Sequence, residues 1–135
     1  MEGVTQDKYV FDVIKSSPFV SYYGLTIALT EVEHAEELKS YGFLLTMGDK
    51  HIYYSGDSNM IPSQALGLLI EGDIHYFYQD TCKADYPDNV HLSLIRLCEL
   101  IPQEYRSKVY CMHLDETFNV DEARAFGFNV VTASC

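Results

Sequence analysis

The apolar positions fall into two regimes along the chain. From about Tyr9 to Tyr54 they come as short alternating or β-branched runs: Tyr9 to Ile14, Phe19 to Tyr23, Leu25 to Leu29, Tyr41 to Leu45 and His51 to Tyr54. A period of two, filled with Val, Ile, Tyr and Phe, predicts strands. Ser16-Ser17-Pro18, Gly24 and Gly48-Asp49-Lys50 break the runs, the last as a hairpin turn. The segment reads as an antiparallel meander.

After Asp57 helices and strands alternate. Ile61-Pro62 opens a helix that carries Leu66, Leu69 and Ile70 to a stop near Gly72, and Ile74 to Tyr78 follows as a buried strand. A second helix opens at Asn89 as its cap and bears Val90, Leu94, Leu97, Cys98 and Ile101 at helical spacing before Pro102. Lys108 to Met112 forms the next strand. A last short helix, capped by Asn119 with Asp121 and Glu122 in its first turn, ends at Gly127 and delivers Phe128 to Val131. This is an α/β (α+β) pattern, with no internal repeat and no linker dividing residues 1–135, so one domain is expected.

Charge narrows the choice of partner. Nine Lys and Arg stand against twenty Asp and Glu, a net charge of -11, which disfavours unaided binding to a phosphate backbone and leaves nucleic acid a partner without support from charge. Bound divalent cations would offset part of it. Cys82, Cys98, Cys111 and Cys135 lie far apart with no Cys-x-x-Cys pair, and no signal peptide is recognisable, so reduced thiols in a cytoplasmic protein are expected. No apolar run is long enough to cross a bilayer.

The candidate chemistry lies at the ends of the apolar runs, at His34, Asp57, Asp80, His91 and His113. Ligands gather beyond the carboxyl ends of strands in sheets with helical crossovers, so this placement suits one shared site. Asp57 on a Gly-containing turn could bridge two cations, while Asp57 or Ser58 could equally cap a helix. His34 and His113 offer imidazoles, the commonest zinc-binding side chains. Asp80 could cap a turn and His91 could be a first-turn helix residue. His51 and His75 fit structural positions better, Asp73 and Asp85 fit turns, and the tyrosine-rich strands fit sheet packing rather than base stacking.

Taken in order, Val32-Glu33-His34, Ser40-Tyr41-Gly42-Phe43, Tyr54-Ser55-Gly56-Asp57-Ser58 and Met112-His113-Leu114 resemble the metallo-β-lactamase superfamily over nearly the whole chain. The resemblance implies that His34 and His113 are histidine ligands and Asp57 the bridging aspartate of a two-metal centre, with zinc as the metal and manganese an alternative. Tyr78-Gln79-Asp80-Thr81 and Val90-His91-Leu92-Ser93 look like the His-Glu-Ala-Thr and His-Ser-Thr motifs of RNase Z-type phosphodiesterases. By that similarity Asp80 supports His91, which protonates the departing oxygen. Asp in place of Glu, together with Gln79 and Leu92, departs from the pattern and leaves the substrate open, phosphodiester or another small molecule.

The family's densest ligand cluster, His-x-His-x-Asp-His, is absent from these residues. The implied fold is therefore the C-terminal half of an αβ/βα sandwich, a half-site that needs a complementary N-terminal half or self-association. Metal binding by the chain alone is expected to be weak or absent, and hydrolysis slight. A fragment of a longer protein, a split enzyme and a degenerate half serving as a noncatalytic interaction module are the competing explanations, and the start at Met1-Glu2-Gly3-Val4 favours the first.

Overall fold

The computed structural model describes residues 19–132, apart from residues 23 and 37. The strand expected at Tyr9 to Ile14 lies outside the described residues. One seven-stranded sheet organises the rest, with its strands in sequence order. Four come first as an antiparallel meander: β1 (Phe19–Tyr22), β2 (Leu25–Ala35), β3 (Leu38–Met47) and β4 (Lys50–Tyr54). The β3–β4 hairpin turns where Gly48-Asp49 was expected to turn it, with Met47 paired to Lys50.

From β4 onward the pairing is parallel, through β5 (Tyr76–Asp80), β6 (Val109–Met112) and β7 (Asn129–Val130). Parallel neighbours need crossovers, which α1 (Ser63–Glu71), α2 (Leu94–Leu100) and α3 (Val120–Ala125) supply. Helix α1 starts after Pro62 and stops at Gly72, whose N–H bonds back to the Leu68 and Leu69 carbonyls. Asn119 caps α3 by accepting from the Glu122 N–H.

Several expected boundaries move, and strands β2 and β3 run beyond the expected Leu25 to Leu29 and Tyr41 to Leu45. Strand β5 begins two residues later than Ile74 and runs through Asp80, because its register against β6 continues to Asp80 opposite Met112. Helix α2 opens at Leu94, not Asn89. Ser93 is its cap, accepting from the Arg96 N–H, whereas the Asn89 carboxamide accepts from the His91 N–H and donates to the Ala84 carbonyl. A 3-10 helix at Gln103–Lys108, which no apolar period announces, holds Arg106. Its guanidinium donates to the Cys98, Ile101 and Phe126 carbonyls and so ties α2 to the end of α3.

The core forms where the helices cover the sheet. Tyr53, Phe77, Val109 and Cys111 point from the strands toward Ala65, Leu69, Leu97, Ile101 and Ala123, and all belong to one buried cluster. Each fully buried large side chain there contributes roughly 1.5–3 kcal/mol. Alternation sends Tyr54, Tyr76, Tyr78 and Tyr110 to the opposite face. There Tyr110 lies 5.1 Å from Tyr78 and 6.0 Å from Tyr76 between ring centroids, and Phe43 stacks on Tyr54 at 5.1 Å. No described helix packs on that side. None of the described helices is long and apolar enough to cross a membrane.

Candidate metal-assisted hydrolytic site

The turn after β4 carries Asp57. Gly56 stands there at φ +62°, and a Cβ on it would lie 2.7 Å from the Tyr41 carbonyl oxygen. Gly42 is equally tight, since a Cβ would meet the Tyr54 oxygen at 2.7 Å and the Ser55 oxygen at 3.0 Å. Only glycines allow the Tyr41-Gly42 backbone of β3 to pass so close to this turn. Ser55 is fully buried and joins β4 to β5: its N–H donates to the Tyr78 carbonyl at 3.0 Å, and its hydroxyl accepts from the Asp80 N–H at 2.8 Å.

Asp80 is the centre of the site. Its side chain is 0% exposed, and Oδ2 accepts from the Ser58 N–H at 2.8 Å and from His91 Nδ1 at 2.6 Å. The bond assigns the His91 proton to Nδ1 and turns Nε2 outward. Asp80 Oδ1 is also buried, yet no hydrogen-bond donor reaches it. It stands 4.0 Å from His113 Nδ1, which lies 3.0 Å from Asp57 Oδ1. His113 follows β6 with φ +57°, an uncommon backbone conformation for a residue with a side chain, and the strand-to-loop reversal there aims its ring at Asp57.

His34 stands within β2, near its end. The register between β2 and β3 shifts between Val32 and Ala35, so Glu33 and His34 form an irregularity at the end of the hairpin. His34 Nδ1 is 2.9 Å from the Val90 carbonyl, which can only accept, so Nδ1 donates and Nε2 is the ring atom left for a ligand. A histidine whose second nitrogen donates to a carbonyl is held as metal-binding histidines usually are. Its ring centroid lies 5.0 Å from that of His91.

The five expected residues thus come together as two overlapping groups that share Asp80. One is His34, Asp80 and His91, the other Asp57, Asp80 and His113, with the ligand atoms of each within 4.8 Å of one another. His34 therefore sits with the Asp80–His91 pair and not directly with Asp57 and His113, because the β2 irregularity and the Val90 carbonyl hold it there. Neither Asp57 nor Ser58 caps α1, whose N-terminus has no side-chain cap. His51 and His75 stay outside the site, the His51 N–H donating to His75 Nδ1 at 3.1 Å.

Sequence reasoning missed the braces. Asn59 donates its carboxamide to the Asn89 carbonyl and its N–H to the Glu33 carbonyl, and the Leu92 N–H bonds the Ser58 carbonyl. These bonds lock three loops around Asp80. Short polar residues beside apolar runs were their only signal. A cavity of about 590 Å³ lined by Glu33, Asn59, Asp85, Asp88 and Asn89 opens beside His91. A more apolar one of about 520 Å³, lined by Tyr54, Tyr78, Met112, Leu114 and Val131, opens beside His113.

The donors fit a divalent cation. Imidazole and carboxylate suit zinc and manganese, and the partnerless Asp80 Oδ1 is a buried oxygen that an ion beside Asp57 and His113 would satisfy. Two groups nearby, the Tyr78 phenol and the Cys111 thiol, are held in their neutral forms. Burial, helped by Tyr110 and Tyr76, raises the Tyr78 phenol, and burial pushes the Cys111 thiol up to about 11 against the opposing hydrogen bond from Thr81.

A family model described as anti-Pycsar protein Apyc1 matches residues 4–133. No curated protein sequence matches. Among solved structures, the metallo-β-lactamase fold protein YhfI from Bacillus subtilis superposes with a TM-score of 0.62 at 16% identity, over 87% of this chain and 50% of its own. A diphosphatase of the PhnP family gives 0.65 at 16% identity, over 87% and 44%. Human tRNase Z, short form, gives 0.56 at 12% identity, over 84% and 41%. The chain has the metallo-β-lactamase fold and spans half, or a little less, of the length of these structures.

Proposed function

The chain belongs to the anti-Pycsar protein Apyc1 family, and from that premise we propose that it supplies the carboxyl-terminal half of a metal-dependent, phosphodiesterase-like hydrolase. The observation that carries this reading is the convergence of two histidine–carboxylate groups on one buried aspartate. In it, Asp57, His113 and His34 through Nε2 hold metal, zinc first and manganese second. A bound metal would supply a nucleophilic water near neutral pH and polarise a phosphoryl oxygen.

The chain's own residues do the rest. His91, held at Nδ1 by Asp80, presents Nε2 toward the cavity beside it, where it donates a proton to the departing oxygen. Asp80 fixes the tautomer and balances the charge of the ring. The acidic lining of that cavity and the net charge of -11 favour a small phosphodiester over a nucleic-acid strand.

A complementary half carrying His-x-His-x-Asp-His would bring the remaining ligands and cover the tyrosine face of the sheet, in a cytoplasmic protein. The test is to mix the chain with such a half and measure zinc or manganese uptake and phosphodiester hydrolysis. Hydrolysis that requires both halves and is lost in Asp57→Ala supports the reading. A mixture that takes up no metal and is indifferent to Asp57→Ala overturns it, and a complex that forms without uptake identifies an interaction module.

A further inference from the structure

Asp80 has two oxygens in different circumstances. Oδ2 is saturated, accepting from the Ser58 N–H and from His91 Nδ1. Oδ1 has the same burial and no donor. A buried carboxylate oxygen without a partner is unfavourable, and the His91 pairing does not explain it, because that pairing uses the other oxygen. Oδ1 lies 4.0 Å from His113 Nδ1, itself 3.0 Å from Asp57 Oδ1.

We propose that Asp80 is a third ligand, through Oδ1, of the metal centre formed by Asp57 and His113. The inference rests on the metal-centre reading above and extends it, since in that reading Asp80 serves only His91. Two ligand atoms on a tetrahedral ion with bonds of about 2.0–2.1 Å stand about 3.4 Å apart, and the spacings of 3.0 and 4.0 Å lie on either side of that value. An imidazole and two carboxylates also suit zinc, manganese or cobalt and leave open positions for water or substrate.

One carboxylate would then join the two functions of the site. The Oδ2 side holds the proton donor and the Oδ1 side the metal, so the separation between them is fixed by a single rigid group at the end of β5. The Ser55 hydroxyl and the Met112 carbonyl, bonded to the N–H groups of Asp80 and Thr81, hold that group from both sides.

The test uses the 135-residue chain with cobalt(II) as the probe, read by its visible spectrum and by equilibrium dialysis. Binding by the chain alone is expected to be weak, so cobalt is raised to millimolar concentration, where one ion per chain is expected for the wild type, with binding weakened at least tenfold in Asp80→Asn, Asp57→Asn and His113→Ala. His75→Ala, outside the site, is expected to bind within threefold of wild type. A folded Asp80→Asn chain that binds cobalt as the wild type does overturns the proposal, as does a wild type that takes up none.

Should Asp80→Asn fail to fold, the carboxylate carbon resonance of Asp80 in the wild-type chain answers instead: a shift on adding zinc supports ligation, and no shift while His113 moves refutes it. Failure here is distinct from failure of the hydrolase reading. A completed enzyme that needs Asp57 and His113 but keeps its metal in Asp80→Asn sinks this inference alone.

Discussion

Gly56→Ala separates the two constraints that shape the Asp57 turn. The residue stands at φ +62°, where an L side chain costs roughly 1–2 kcal/mol. Its new Cβ would also fall 2.7 Å from the Tyr41 carbonyl oxygen. That oxygen belongs to a paired strand and cannot rotate away, so relief requires moving β3 or the turn, an overpacking cost of roughly 1–3 kcal/mol. The expected loss is therefore about 2–5 kcal/mol. Gly48 provides the control, with the same φ of +62° and nothing within 4 Å of its would-be Cβ. Gly48→Ala should lose only the conformational part, about 1–2 kcal/mol, and the gain from a stiffer unfolded chain is common to both variants. Urea titrations followed by circular dichroism measure the difference, expected at about 1–3 kcal/mol. Equal midpoints and equal slopes for the two variants would refute the claim that close approach of Tyr41 makes Gly56 necessary.

Two further predictions concern chemistry at single atoms. In the completed enzyme, His91→Ala should lower kcat by about 10²- to 10⁴-fold for substrates that leave as alkoxides and far less for p-nitrophenyl esters, whose departure needs no proton; equal losses on both classes remove His91 from the proton-donor role. Stability should fall as pH rises from about 9 to about 11, because the buried Cys111 thiol ionises near 11 in the folded chain and near 9.0 when unfolded, so the stabilisation is complete below the lower value and lost through the higher. Two pKa units correspond to about 2–3 kcal/mol, and Cys111→Ala should flatten the fall in denaturant midpoints by that amount.

The parts of the fold that were legible in the sequence are those governed by local chemistry. Pro62 and Gly72 bound α1, Asn119 caps α3, and Gly48-Asp49 turns the hairpin, each for reasons that need no distant partner. The errors arise where tertiary bonds overrule such signals. Asn89 has the composition of a helix cap, but its carboxamide is taken by the His91 N–H and the Ala84 carbonyl, so the helix waits for Ser93. Arg106 reads as one more surface cation, although three carbonyls from two segments, the end of α2 and the end of α3, converge on its guanidinium. At the site, residue types and order identified five side chains, while their grouping around Asp80 follows from a strand irregularity at Val32–Ala35 and from the register of β5 against β6. Neither is encoded in local periodicity.

Burial divides the site into a part the chain finishes and a part it leaves open. Asp80 is fully enclosed, and the groups that fix it come from two segments: Ser55 and Ser58 of the turn after β4, and His91. Those bonds are made by the chain's own groups, so folding orients His91, the proton donor of the proposed reading. Asp57 and His113 are different, with 55% and 38% of their side chains exposed, and they face the side of the sheet that carries Tyr54 and Tyr78. The Tyr54 ring meets the His113 ring edge to face at 6.4 Å, so a layer placed over the tyrosines would touch the group that orients a ligand. In the proposed reading, completing the sandwich and completing the metal centre are one event, because the uncovered apolar face and the incomplete ligand set lie against each other.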